Sequence, residues 1–363
     1  MFENVYKNKT VLVTGHTGFK GSWLSVWLTQ LGARVIGVSS GEISTPSNYK
    51  VSEISKAVDD RRLDVRDVDA IRALIKEVQP DFVFHLAAQS LVRPSYDEPL
   101  ETMNTNAIGS ANIMDALRFL NKGVVSIMIT SDKAYDNVEW TWGYRENDRL
   151  GGKDPYSASK GMAELAIRSY VESFFKRPNS NIRIGIARAG NVIGGGDWGV
   201  DRIVPDCMRA WSKGEVLNVR NPYTTRPWQH VLEPLSGYLS LASSLYLDNQ
   251  NHGEAYNFGP NADQNYSVAE LINKMSGFWD GANWDDVSQY DGYTHEARLL
   301  KLNCDKALHN LGWSPVLNFS RTVMMTVEWY KHYYRNQKKS MFDYTVGQIE
   351  EYIKLSDGRK FID

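Results

Sequence analysis

Short runs of β-branched and aliphatic residues alternate along the first half of this chain with longer stretches whose apolar side chains recur every three or four positions. Such alternation marks βαβ units and a parallel sheet. Runs at 10–14, 34–38, 81–86, 124–130 and 181–187 read as strands, and stretches at 18–31, 67–77, 101–120 and 157–175 as helices. A further strand just before Leu63 is inferred from the alternation more than from its own residues. Past Arg188 the texture changes. Gly194-Gly195-Gly196 and a run of Trp, Pro, Asn and Arg suggest loops wrapped around a ligand, broken by shorter helices at 203–213, 232–247, 268–278 and 319–334. Residues from about Gln337 onward are polar and are expected to pack poorly. The pattern predicts an α/β fold with a doubly wound parallel sheet.

The first strand runs into a glycine-rich turn, Thr14-Gly15-His16-Thr17-Gly18-Phe19-Lys20-Gly21, and then a helix. Gly15 permits the tight turn, Gly18 lets the backbone approach a pyrophosphate, and Gly21 allows close helix–strand packing. The helix N-terminus adds free N–H groups and a positive dipole end. The spacing is GxxGxxG rather than GxGxxG, but three glycines at an N-terminal strand–helix junction within a βα series predict a Rossmann-type dinucleotide-binding domain over 1–188, completed by a segment near 228–250. A smaller C-terminal substrate-binding lobe then takes up most of 189–363. The second strand ends Ser39-Ser40, and the first acid that could hold an NAD ribose is Glu42. No arginine cluster offers a site for a 2′-phosphate, apart from Arg34 at the strand's start, so NAD is favoured over NADP. Asp64 either accepts a hydrogen bond from an adenine amino group or serves as a helix N-terminal acid. Leu86, Ala87, Ala88 and Gln89 end the next strand with small residues against which a cofactor lies flat.

Tyr156 and Lys160 stand at i and i+4 near a helix start, on one face. A neighbouring ammonium and a positive nicotinamide ring would favour the phenolate, making Tyr156 a base towards a sugar hydroxyl. Ser131, at the end of the fifth strand, can share that hydroxyl's proton. Asp132 and Lys133 follow directly, at the sheet edge where open α/β proteins place their chemistry. Beside a hydride-transfer pair, an acid and a second base fit elimination of water.

Composition narrows the partners. The chain has 363 residues and a net charge of −2, so no long-range field draws it to nucleic acid or an anionic membrane. No apolar run is long enough to span a bilayer, and the polar start lacks a signal core. Cys207 and Cys304 lie far apart in no metal-ligand spacing, which suits a reduced, cytoplasmic protein without a metal.

Four motifs together resemble the nucleotide-sugar 4,6-dehydratases of the extended short-chain dehydrogenase/reductase superfamily. They are the glycine turn continued through Ser22-Trp23-Leu24, Thr130-Ser131-Asp132-Lys133, the stretch from Arg188-Ala189-Gly190-Asn191 to Asp197-Trp198, and Arg226-Pro227-Trp228-Gln229-His230-Val231. Most of the family carries Asp-Glu where this chain has Asp132-Lys133, and lysine there is the trait of its CDP-glucose branch. The resemblance implies NAD as cofactor, held by Gly15, Thr17, Gly18, Phe19, Lys20, Gly21, Asp64, Val65, Leu86, Ala87, Ala88, Gln89 and Asn106 together with Tyr156 and Lys160. Tyr156 is then the base for the C4 hydroxyl, Lys160 holds the nicotinamide ribose, Ser131 bonds the reacting oxygen, and Asp132 and Lys133 drive elimination. It further implies that Asn191, Arg202, Arg220, Arg226, Asn257 and Arg298 surround the sugar nucleotide. Also implied are a homodimer through the helices at 101–120 and 157–175, and a product destined for deoxysugars of a surface polysaccharide. A 4-epimerase sharing Tyr156 and Lys160, or a dinucleotide-sensing regulator that has lost the chemistry, are the alternatives.

Overall fold

Seven short runs, six of them rich in aliphatic or aromatic residues and one charged, pair into one all-parallel sheet. The computed structural model describes residues 2–288, 299–335 and 340–359. Its strands are β1 (Thr10–Thr14), β2 (Arg34–Ser39), β3 (Asp59–Arg62), β4 (Phe82–His85), β5 (Val124–Ile129), β6 (Ile182–Ala189) and β7 (Ala255–Phe258). They lie in the order β7-β6-β5-β4-β1-β2-β3. The chain turns from one direction of travel to the other between β1 and β4, which opens a crevice beyond their C-terminal ends.

Successive side chains on a strand point to opposite faces, so the sheet feeds two cores. Val11 and Val13 of β1 join the core on one face, with Phe82 and Phe84 of β4, while Leu12 and Val83 join the other. The first face is covered by helices Phe19–Gln30, Leu232–Leu247, Phe319–Arg335 and Met341–Arg359. Val68–Val78, Gly109–Leu117 and Pro155–Tyr170 cover the second. Among the described residues no helix is long and apolar enough to cross a membrane.

Three elements depart from expectation. β7, beyond the glycine-rich stretch, completes the sheet next to β6. The helix expected at 101–120 begins at Pro99 and widens into a π-type turn over Asn104–Ile108 before continuing. The polar C-terminal residues form a packed helix instead of a loose tail. Ile349 and Tyr352 are buried there, and the Tyr352 hydroxyl donates to Glu233 Oε2 at 2.7 Å.

Candidate active site

The glycine turn is shaped by close backbone contacts. Gly15 has φ +74°, and a Cβ there would lie 2.8 Å from the Ala87 nitrogen at the end of β4. A Cβ on Gly21 would stand 2.1 Å from the Gly15 carbonyl oxygen. Gly18 caps the helix Phe19–Gln30 with no side-chain bond to its first N–H groups, which leaves donors for an anion. Thr17 anchors the turn by donating from Oγ1 to the Gly41 carbonyl at 2.7 Å. Glycine approach, a helix start without a side-chain cap and the small edge Leu86-Ala87-Ala88 together fit a dinucleotide.

The flanking positions divide by role. Asn106 accepts from the Gln89 N–H at 2.8 Å and donates to the Gln89 carbonyl at 3.0 Å and to Ser159 Oγ at 2.8 Å, clamping this edge to the helix Pro155–Tyr170. Val65 is buried, and its carbonyl accepts from Asn112 at 2.9 Å. Asp64 is gripped by Arg66, 2.6 Å from its Nη2. The N-terminal acid of the next helix is Asp67, which accepts from the Ala70 N–H, so that reading of Asp64 falls away. Arg34 begins β2 at the sheet edge opposite the crevice and faces Asp59 at 3.8 Å, so it is no candidate for a 2′-phosphate. Glu42 is held by Lys50 at 2.6 Å. Phe19 packs near Gly194, whose Cβ would meet its ring at 3.1 Å. The glycine triplet that suggested a ligand loop instead lets the backbone press on Trp329, which a Cβ on Gly195 would overlap.

The residues expected to react meet at the C-terminal end of β5. Asp154 caps the helix Pro155–Tyr170 by accepting from the Ser157 N–H at 2.9 Å, and Pro155 supplies its first residue. That start brings buried Tyr156 and Lys160 against the turn at 131–134. Lys133 Nζ and Lys160 Nζ lie 5.8 and 5.9 Å from the centre of the Tyr156 ring. Ser131 Oγ donates to Asp132 Oδ1 at 2.9 Å and accepts from the Lys133 N–H at 3.2 Å. A Cβ on residue 190 would lie 2.7 Å from Asp132 Oδ2, so glycine there makes room for the carboxyl.

Burial governs the charges. It pushes Tyr156 up to about 12, with the bond from Ser131 pulling the other way. Burial thus opposes the phenolate, and the ammonium and positive nicotinamide ring expected beside it act in the other direction. Burial raises the Asp132 carboxyl against the pull of Lys133, Ser131 and Lys20, which favours the neutral acid. Lys160 is brought down to about 8 by burial and by Lys20, with Glu164 opposing.

Two further groups stand near this centre, one of them, Tyr238, not named from the sequence. Lys20, expected at the cofactor, reaches inward and donates to the Tyr238 hydroxyl at 3.5 Å. Burial lowers it to about 8, against Asp132. Tyr238, from the helix Leu232–Leu247, is fully buried and its phenol is raised by that burial. Only the excess of polar atoms in the apolar pattern of that helix could have signalled it.

Among the expected sugar-nucleotide residues that are described, Arg202 lies near the reacting groups. It pairs with Asp197 at 2.7 Å, reaches Ser90 Oγ at 3.4 Å and feels the Tyr156 phenol. Arg220 and Arg93 converge on Asp201 at 3.8 and 3.1 Å. Arg226 donates to the Thr225 carbonyl at 2.9 Å in a short strand paired with Tyr266–Ser267. Asn191 follows β6, and its carbonyl accepts from the Gln229 N–H at 3.1 Å. Asn257 lies in β7, fully buried, with its amide spent on Tyr135, Tyr144 and Asn303. It serves the scaffold here instead of an open surface. Arg298 lies outside the described residues.

Residues 12–326 match the family model described as GDP-mannose 4,6 dehydratase. The chain is 43% identical over 352 residues to a CDP-glucose 4,6-dehydratase of Salmonella typhimurium, covering 94% of this chain and 98% of the relative. Its fold is like that of the epimerase Mth375 of Methanothermobacter thermautotrophicus, with a TM-score of 0.76 and 23% identity, over 93% of this chain and 96% of the other. A UDP-glucuronic acid 4-epimerase of Bacillus cereus, solved with UDP-glucuronic acid and NAD, gives a TM-score of 0.74 at 21% identity, over 89% and 99%. With that match along most of its length, and with the turn at 131–133 set against Tyr156 and Lys160, this chain belongs to the nucleotide-sugar 4,6-dehydratase family.

Proposed function

We propose that this enzyme converts CDP-glucose to CDP-4-keto-6-deoxyglucose and water. The observation that carries the reading is a buried, raised carboxyl, Asp132, beside Lys133 at the ring of Tyr156. The 43% identity to a relative of that name supports the choice of base. NAD, which accepts a hydride and returns it, supplies the redox chemistry when bound. Tyr156 takes the proton of the C4 hydroxyl, with Ser131 bonding the same oxygen and Lys160 holding positive charge beside it. The resulting 4-keto group acidifies the C5 proton, which Lys133 removes. Asp132 donates its proton to the departing C6 oxygen, so the C6–O bond breaks and water leaves. The C4 hydride ends at C6 while C5 regains a proton from Lys133, and no net oxidation or reduction remains. Arg202, Arg220 and Arg226 suit a diphosphate because a planar guanidinium offers paired charged bonds. In this reading Arg202 and Arg220 exchange Asp197 and Asp201 for the substrate.

Incubation with NAD and a panel of CDP-, dTDP-, UDP- and GDP-hexoses tests the reading. A 4-keto product is expected from CDP-glucose at the highest kcat/KM. A higher value with another nucleotide would displace the substrate assignment.

A cytoplasmic homodimer, whose product feeds deoxysugar and surface-polysaccharide synthesis, is part of the same proposal. Leu100 and Leu165 are 74% and 61% exposed, and Ile108, Phe119 and Met162 are exposed on or beside the same helices. Apolar side chains gathered on adjacent helices favour a self-complementary interface. Leu165→Glu should halve the mass seen by sedimentation. A wild-type chain that sediments as a monomer removes the dimer from the proposal.

A further inference from the structure

Behind the reacting groups lies an ion pair that no step above uses. Glu164 follows Lys160 by four residues and Tyr156 by eight, on one stripe of the helix Pro155–Tyr170. Glu164 and Arg188 of β6 are both fully buried. The guanidinium grips both carboxylate oxygens, with Nε 2.6 Å from Oε1 and Nη2 on Oε2. Thr130, the residue before Ser131, donates to the same Oε1 at 2.8 Å. On the other side Arg188 Nη1 donates to the Tyr135 hydroxyl at 2.5 Å and to the Glu146 carbonyl at 3.1 Å. Tyr135 closes the turn that carries Asp132 and Lys133, and its hydroxyl donates to Asn257 Oδ1 at 2.8 Å. One pair thus touches the helix of Tyr156 and Lys160, the approach to Ser131, and the turn of Asp132 and Lys133.

Stability alone is a poor reason for such a pair. Stripping two ions of water is costly, and apolar residues of similar volume often serve a core as well. What apolar side chains cannot do is fix three elements by directional bonds. We propose that Glu164 and Arg188 are positioning residues for the reaction, holding the Tyr156–Lys160 helix in register with the Asp132–Lys133 turn so that C4 oxidation and the C5–C6 elimination share one geometry. This rests on the roles given above to those four residues. The Glu164 charge also faces Lys160 and supports its ammonium against burial and Lys20. Among the described residues, Tyr156 on the same helix and His85 of β4, an imidazole that burial keeps neutral, also face that amine, and Arg168 shares the Glu164 carboxylate at 3.8 Å.

The test replaces the pair together, as Glu164→Leu/Arg188→Met, with Tyr156→Phe in parallel. Thermal unfolding, turnover, NAD reduction in a single turnover and C5 exchange with deuterated water are measured on each holoenzyme. The double variant is expected to melt close to wild type. Its turnover should fall by about 10²-fold or more, the scale on which small misplacements act. Both partial reactions should slow, and the alkaline limb of the rate profile should move to lower pH as Lys160 loses its support. A folded double variant with wild-type turnover and pH profile overturns the proposal. An active Tyr156→Phe overturns the underlying reading instead. Should the double variant not fold, Thr130→Val and Tyr135→Phe decide. A lower kcat at unchanged KM supports positioning, and an unchanged kcat in both overturns it.

Discussion

A Tyr156→Phe enzyme will fold, bind CDP-glucose and fail to reduce NAD, with turnover about 10²–10⁴-fold below wild type, the usual cost of a lost general base. The variant loses one oxygen atom from a ring whose packing is otherwise retained. Burial holds the Tyr156 phenol at about 12, so at neutral pH it is protonated, and its action as a base depends on positive charge brought to the ring. Lys160 supplies part of that charge and titrates at about 8. A lysine is charged below its pKa, so kcat should fall as pH rises through about 8. Near wild-type turnover in the phenylalanine variant, or a rate that climbs steadily through pH 10, would remove Tyr156 or Lys160 from these roles.

The second large effect separates the two halves of the reaction. Lys133→Ala should still oxidise C4, seen as NADH absorbance on mixing with CDP-glucose, yet incorporate no solvent deuterium at C5. With substrate deuterated at C4, the wild-type enzyme should deliver the label to C6. Label returned to C4 of an inverted sugar, with no 4-keto product, would mean a 4-epimerase. If Lys133→Ala still exchanges C5, the base lies elsewhere, and Lys20 is the next amine to test. It stands 3.5 Å from the Tyr238 hydroxyl and near Asp132. Burial lowers it to about 8, so it is partly neutral at working pH.

What could be read from sequence followed from how local each signal is. β1, β2, β4, β5 and β6 are apolar runs bounded by turns, and buried parallel strands read that way. β3 is Asp59-Asp60-Arg61-Arg62, a charged and partly exposed edge, so only the alternation betrayed it. β7 is only four residues, Ala255–Phe258 before Gly259-Pro260, and its place beside β6 depends on a partner about seventy residues earlier. The C-terminal helix hides its contacts in polar residues. Gln348 donates to the Met325 carbonyl at 2.8 Å, and Thr345 accepts from Trp329 Nε1 at 3.0 Å. Such pairings leave no period in the sequence.

The site followed the same rule. Tyr156, Lys160 and the turn at 131–133 sit at strand ends and helix starts, so topology alone brings them together. Lys20 was expected at the cofactor from its place in the glycine turn, and its amine also meets the Tyr238 hydroxyl, 218 residues away, a contact no local pattern shows. Asn257 was expected to meet the substrate, but its amide is consumed by three other segments of the chain.

The late arrival of β7 has a consequence for how the chain is made. Until Ala255–Phe258 have left the ribosome, β6 presents the unpaired backbone of Ile182–Ala189 as an open edge. That edge is made largely of Ile182, Ile184, Ile186, Ala187 and Ala189, interrupted by Arg183 and Arg188, and an unpaired edge of this kind recruits other strands. A nascent chain stalled between residues 190 and 254 would therefore need a chaperone, whereas one extended past 258 closes its own sheet.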